Sequence, residues 1–198
     1  MSKARTLIIA TGISAIGVLV PIATASAASF TAEKYPALIS GSSTRDVFDT
    51  FGAQFSCIEN TFTSSLAATS EELVITPSFN KCTAFGGAMP VTAPSGAFTL
   101  TPDGTLHLTK EIQLHFWMSG GKPVCTFNVT PGTSKISVTN LFPNIVLSGS
   151  AQFPATQTRL SPICPTGTKG TFAWTIQAGG IQLQGQTLEG GPNAIHLK

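Results

Sequence analysis

TLHLTKEIQLHFWM, residues 105–118, has the longest regular alternation of polar and apolar side chains in the sequence. From Leu106 onward the even positions are apolar except Lys110, and the odd positions are polar until Trp117. A period of two residues predicts a β-strand with one buried face. The run Phe98–Leu100 precedes it and is followed by Pro and Gly at residues 102–104, which are typical of a tight turn. A β-hairpin is therefore expected at the centre of the chain.

Lys110 interrupts the apolar face of this segment and leaves its course open. In a continuous strand His107 and His115 share a face but lie about 26 Å apart, too far to bind one ion. A bend at residues 109–111 would bring them closer. Two histidines without a carboxylate or thiol partner are more often solvated surface groups, so no metal site is expected at His107, His115 or His196.

The chain after residue 27 consists of short segments rich in Thr, Val, Ile and Phe, separated by Gly, Pro and Ser. Residues 47–55 are expected to form a strand with a bulge, and Gly179-Gly180 the tight turn of a hairpin. About ten strands with almost no helical period predict a single all-β domain over residues 28–198. The expected architecture is a disulfide-stapled antiparallel β-sandwich, with a β-barrel as the alternative.

The N-terminal residues 1–27 have the pattern of a cleaved signal peptide. Lys3 and Arg5 precede a charge-free apolar segment, which ends in Ala25-Ser26-Ala27, the small residues of a cleavage site. The rest of the chain contains no second apolar segment long enough to span a membrane. We therefore expect a secreted, extracellular protein that begins near Ala28, without a membrane span in its mature form.

Charge excludes one class of partner. The chain has 11 basic and 9 acidic residues, and Lys3 and Arg5 belong to the predicted signal peptide, so the mature chain has nine of each. Nucleic-acid binding depends on clustered Lys and Arg side chains that neutralise phosphates. A mature chain of zero net charge, with few charges of either sign, is therefore not expected to bind nucleic acid.

The four cysteines fit an oxidising compartment. They are even in number and widely spaced, and no C-x-x-C motif occurs that would suggest a zinc or redox site. Of the three possible connectivities, sequential pairing closes the shortest loops. The predicted disulfides are therefore Cys57 with Cys82 and Cys125 with Cys164.

Three segments resemble a family of small secreted proteins common in soil actinobacteria. They are FSCIENTF at residues 55–62, ITPSFNKCTAFG at 75–86 and CTFNVTP at 125–131. The resemblance covers nearly the whole mature chain but rests on cysteines and strand patterns. It implies a disulfide-stapled β-fold, and because the family has no assigned activity it implies no chemistry.

No catalytic or cofactor motif is found. The G-x-S-x-G motif of nucleophilic hydrolases is absent, and the nine acidic residues are too scattered to nominate a catalytic pair. The sequence favours a non-catalytic binding or cell-envelope interaction module without a cofactor. Two alternatives are a small secreted hydrolase whose residues meet only in the fold and a lipocalin-like carrier of an apolar ligand.

The odd face of the central segment supplies the candidate ligand surface. Gln113, His115 and Trp117 point the same way, and an aromatic ring beside hydrogen-bonding groups suits a polysaccharide or cell-surface partner. The alternative is that another strand covers this face and Trp117 is packed. Trp174 alternates in phase with Phe172 and is expected in the core.

Overall fold

The computed structural model describes residues 28–84, 87–117, 123–159, 161–162 and 164–198. The predicted signal peptide and Met118 lie outside the described residues. Within those ranges the protein is all-β, without a helix, and therefore without one long and apolar enough to cross a membrane. The strands are β1 (Phe30–Ala32), β2 (Ala37–Thr50), β3 (Ala53–Leu66), β4 (Leu73–Ser78), β5 (Thr83–Ala84), β6 (Gly87–Ala88), β7 (Val91–Thr92), β8 (Phe98–Leu100), β9 (Thr105–Leu108), β10 (Ile112–Trp117), β11 (Pro123–Val129), β12 (Gly132–Lys135), β13 (Ser137–Leu141), β14 (Asn144–Arg159), β15 (Lys169–Gln186), β16 (Pro192–Asn193) and β17 (Ile195–Leu197).

Fifteen of these strands form one antiparallel sheet, in the order β12-β9-β8-β4-β3-β2-β15-β14-β11-β10-β7, with β5, β6, β13 and β16 paired beside this path. β1 and β17 pair separately. The sheet folds over on itself, because the ring of Phe98 in β8 lies 5.9 Å from that of Phe153 in β14 and 5.6 Å from that of Trp174 in β15. Strands far apart in the hydrogen-bonded order thus face each other, and the predicted sandwich is confirmed.

Aromatic side chains fill the space between the two layers. Phe48 stacks on Phe55 at 4.9 Å and contacts Phe172 at 5.3 Å, while Phe62 stacks on Trp174 at 5.9 Å. All five side chains are buried. They point inward because the alternation of β2, β3 and β15 places one apolar face toward the opposite layer. Trp174 is therefore a core residue, as its phase with Phe172 predicts.

The central hairpin is present, but the segment after it is not one strand. β8 pairs with β9, and the chain then bends at residues 109–111 before β10 begins between β7 and β11. The bend is held by Thr109, whose amide and hydroxyl donate to the carbonyl oxygen of Ala97, and by Lys110 Nζ, which donates to that of Ser95. A lysine side chain is costly to bury without a partner for its charge. The chain therefore bends at Lys110, where the ammonium group is exposed to solvent.

Residues 47–55 form a hairpin rather than the expected strand with a bulge. Thr50 pairs with Ala53, and the two residues between them have positive φ, 52° at Phe51 and 73° at Gly52. Two positive angles in a two-residue loop are the signature of a type I′ turn. The ring of Phe51 stacks on that of Phe127 at 5.8 Å. This contact offsets the cost of a bulky residue in that conformation.

The prediction of a hairpin turn at Gly179-Gly180 is also wrong, because β15 continues through both glycines. Ile176 pairs with Asp46 and Gln182 pairs with Ser42, so the five residues of β15 between these pairs lie opposite only three of β2. The extra residues form a bulge, and the φ values of 100° at Gly179 and 67° at Gly180 are those that glycine adopts without strain. Both halves of β15 keep β2 and β14 as neighbours.

This bulge supplies a stability prediction. A Cβ atom at Gly180 would lie 2.6 Å from the carbonyl oxygen of Leu147, whereas one at Gly179 would meet nothing within 4 Å. We expect Gly180→Ala to lower the free energy of unfolding by about 3 kcal/mol and Gly179→Ala by about 1 kcal/mol, since both variants place an alanine at a positive φ but only the first also adds a clash. Urea denaturation of the two variants provides the measurement, and equal losses would contradict the bulge geometry.

Both predicted disulfides are present. Cys57 in β3 is bonded to Cys82, and Cys125 in β11 is bonded to Cys164 in the segment between β14 and β15. The four cysteines are buried, and none is free. Two disulfides in one chain indicate an oxidising environment.

Candidate functional site

Of the predicted ligand surface, Gln113 and His115 line none of the grooves described below. Gln113 and His115 lie half-buried on the outer face of β10, where Gln113 Nε2 donates to Glu111 Oε1 at 3.1 Å. His115 Nδ1 lies 3.3 Å from the hydroxyl oxygen of Thr126 in β11. The backbone of Trp117 ends β10, but its side chain lies outside what the structure describes. The aromatic part of the predicted surface therefore stays a prediction.

The bend at residues 109–111 gives His107 and His115 different surroundings, and His196 lies elsewhere in the fold. His107 Nδ1 lies 3.0 Å from the hydroxyl oxygen of Thr133 in β12, whereas His115 is bonded to β11. His196 lies in β17, where its backbone oxygen accepts a hydrogen bond from Thr31. Among the described residues, no three His, Cys, Asp or Glu side chains are placed to hold one metal ion.

The main candidate site is a groove of about 680 Å³ on the outer face of β2, β3 and β15, which we call the polar groove. Strand register aligns its side chains in two rows across the sheet, Thr61 with Ser42 and Gln182, and Thr63 with Ser40 and Gln184. The remaining lining residues are Gly41, Thr44, Phe62, Gly179 and Gly180. All the polar side chains that line it are hydroxyls or primary amides, and none is charged.

The groove lies where β2 and β3 both interrupt the alternation of buried and exposed residues, which we call the phase change. In β2 the consecutive residues Thr44 and Arg45 are both exposed, and in β3 the same is true of Ile58 and Glu59. Glu59 has a φ of 60°, a left-handed conformation that breaks the regular pleat. Because β2 and β3 pair at these positions and the β15 bulge lies beside them, the sheet bends along one line. The polar groove follows this bend.

A buried polar cluster lies on the inner side of the same bend. Asp46 is fully buried, and its Oδ2 accepts hydrogen bonds from Ser43 Oγ at 2.5 Å and Asn60 Nδ2 at 2.6 Å. Asn60 also donates to the carbonyl oxygen of Cys57 and accepts from the amide of Asn80. The cluster thus joins β2, β3 and the segment that follows β4.

The electrostatics of Asp46 are those of a buried acid. Burial raises the pKa of its carboxyl group above the usual value of 3.8, while the hydroxyl of Ser43, the nearby indole of Trp174 and the amide of Asn60 act in the opposite direction. Asp46 Oδ1 and Trp174 Nε1 make no hydrogen bond of normal geometry. We therefore treat the indole as a close neighbour rather than a bonded partner of the carboxyl group.

A second carboxylate has the opposite environment. Asp103, in the turn between β8 and β9, accepts hydrogen bonds from the hydroxyl groups of Thr101 and Thr105 and from Lys135 Nζ at 3.0 Å. These groups, Thr101 first, hold the pKa of the Asp103 carboxyl well below its usual range. The network is exposed and links the turn to β12, which gives it a local structural role.

A smaller groove of about 500 Å³ lies on β9 and β12. It is lined by one carboxylate, Glu72, and one imidazole, His107, together with Thr99, Leu108, Thr109, Pro131, Gly132 and Thr133. Glu72 and His107 are 35 positions apart in sequence, so only the fold places them on one groove.

Sequence reasoning missed the polar groove and the Asp46 cluster. The alternation of Ile181, Gln182, Leu183 and Gln184 predicts the outward direction of the glutamines, but not which strands lie beside them. In the sequence Asp46 looks like an ordinary surface acid. It is buried because the alternation of β2 shifts by one residue at 44–45, and this shift accompanies a bend that the sequence does not reveal.

No protein-family model matches this chain, and no curated protein and no solved structure matches it either.

Proposed function

We propose that the protein is a non-catalytic binding module for uncharged polysaccharide and that the polar groove is its binding surface. The observation that carries this proposal is the chemistry of the lining: hydroxyl and primary amide groups on three adjacent strands, without a charged side chain. Each such group both donates and accepts hydrogen bonds, as sugar hydroxyls do. A charged ligand would lose its hydration without finding an opposite charge.

The spacing of the rows suits an extended ligand. Neighbouring strands lie about 4.8 Å apart, so Thr61, Ser42 and Gln182 span roughly 10 Å across the sheet, and the second row lies roughly 7 Å along the strands. A chain of two or three sugar rings is long enough to contact both rows. Because a neutral hydrogen bond contributes only about 0.5–1.5 kcal/mol, we expect weak binding per site and clear retention only on a polymer.

We further propose that the protein acts outside the cytoplasmic membrane, at a cell envelope or in the extracellular medium. The two disulfides support this location, because such bonds persist in oxidising compartments. The N-terminal signal pattern and the resemblance to small secreted actinobacterial proteins point the same way.

The aromatic core favours a binding module over a lipocalin-like carrier. Rings of Phe48, Phe62, Phe79 and Trp174 contact one another at 5.3–6.2 Å between the layers, in the space where a carrier would hold its ligand. The hydrolase alternative is supported by one observation, the groove shared by Glu72 and His107. A Glu72→Gln variant that loses activity on a hydrolase substrate panel would favour it.

Gln182→Ala is the test of the polar groove. We expect it to weaken retention on an insoluble neutral polysaccharide about fivefold, which corresponds to the loss of about 1 kcal/mol of hydrogen bonding. Depletion isotherms on cellulose, chitin and xylan, with a polyanionic polysaccharide for comparison, give the affinities.

Gln152→Ala is the matched control, because Gln152 is an exposed glutamine of β14 that does not line the groove. It should bind as the wild type does. If Gln182→Ala binds as tightly as Gln152→Ala, or if the wild type is retained on none of the neutral polymers, the proposal is wrong.

A further inference from the structure

The bend that carries the polar groove contains a buried acid, and among the described residues no cation lies beside it. Asp46 is the one ionisable side chain among the buried residues of the described ranges. Its partners, Ser43 and Asn60, are neutral, and Oδ1 has no hydrogen-bond partner. An isolated carboxylate in an apolar interior is strongly disfavoured, so such groups tend to keep their proton.

The charged groups on every neighbouring element are directed to solvent. On β2 they are Arg45 and Asp49, both exposed. On β3 and in the segment after β4 they are Glu59 and Lys81, which pair with each other on the surface. On β15 the charged residue is Lys169, which is exposed at the start of the strand.

The other side chains near Asp46 contribute no compensating charge. β15 presents Trp174 and Ile176 to the interior, β2 presents Phe48, and Cys57 of β3 is held in a disulfide. The carboxyl group therefore has donors around it but no positive charge.

We propose that Asp46 is a proton-dependent lock on the bend of β2 and β3: the neutral acid can stay buried between the two strands, whereas the ionised carboxylate, buried without a cation, favours opening of the strands toward water and so loosens them. The geometry supports a local effect, because Ser43, Asp46 and Asn60 bridge the positions where both strands leave regular alternation. The raised pKa of Asp46 agrees with this assignment.

The sign of the pH effect follows from proton linkage. Between 3.8, the value for an exposed aspartate, and the higher pKa of the folded state, the folded protein holds a proton that the unfolded chain has lost. Stability from this group is greatest below 3.8 and declines as the pH rises through that window. The unfolding equilibrium constant should rise by up to tenfold per pH unit there, and the effect should level off above the folded pKa.

Chemical denaturation of the full mature chain from pH 4 to pH 9 tests this. In the Asp46→Asn variant, which has no proton to lose, the rise attributed to Asp46 should be absent. Asp49→Asn, three residues away on the same strand and exposed, should retain the wild-type rise. A rise that survives in Asp46→Asn, or one that is lost in Asp49→Asn, overturns the proposal.

A measurement on the wild type decides the matter even if Asp46→Asn fails to fold. The chain has three aspartates, Asp46, Asp49 and Asp103, so carboxyl ¹³C resonances can be assigned by removing the two exposed ones in turn. We expect the Asp46 resonance to titrate above pH 3.8, with hydrogen-exchange protection at residues 43–46 and 58–61 falling over the same range while that of β8 and β9 is kept. A midpoint at or below 3.8, or protection that does not change, would refute the lock.

Discussion

Trp174→Ala is expected to lower the free energy of unfolding by about 3–5 kcal/mol, because it removes the largest ring from the centre of the sandwich. Trp174 stacks on Phe62 at 5.9 Å and lies 5.6 Å from Phe98 of the opposite layer. Its loss leaves a cavity that strands on both sides cannot close without moving. It also removes the indole beside Asp46, which acts to lower the pKa of that carboxyl group.

Thermal and urea denaturation measure this effect, and a fall in Tm of roughly 10 °C or more corresponds to the expected loss. Phe142→Ala is the control, because Phe142 is an aromatic residue with 70% of its surface exposed. That substitution should change stability by less than about 0.5 kcal/mol. If both variants lose the same amount, the contacts of Trp174 do not hold the two layers together.

Replacing both cysteines of one disulfide with alanine is the second large effect. The Cys57–Cys82 bridge closes a loop of 25 residues and the Cys125–Cys164 bridge one of 39. In the chain-entropy model these bridges stabilise the folded state by about 3.5 and about 4 kcal/mol by restricting the unfolded chain. Guanidinium denaturation of the two double variants should therefore show losses of similar size.

The denaturant slope distinguishes this mechanism from lost packing. Without a bridge the unfolded chain expands and exposes more surface, so the m-value should rise in each double variant. Measurement under non-reducing conditions with the wild type supplies the reference. A loss below about 1 kcal/mol with an unchanged m-value would show that the bridge does not constrain the unfolded state.

The hairpin of β8 and β9 illustrates what was predictable. Alternation around Leu106 and the proline and glycine of the turn before it act over a few residues, so they predict this hairpin without knowledge of the other strands. The cysteine pairing was predictable for a related reason, since sequential pairing closes the shortest loops.

Local sequence patterns were not sufficient where the same residues are compatible with two different structures. Gly179-Gly180 fits a hairpin turn and a bulge equally well, and the neighbours of β15 decide between them. Lys110 marked the bend at residues 109–111, yet only the separate pairing of β9 and β10 shows that the chain passes from one part of the sheet to another.

By itself, the sequence determined the strand class, the central hairpin, the disulfide partners and the burial of Trp174, because each depends on spacing along the chain. Tertiary structure alone decided the course of β15, the polar groove and the burial of Asp46. Whether a side chain is buried depends on what lies across from it, and for Asp46 this is set in part by β15, a strand distant in sequence that meets β2 only in the folded sheet.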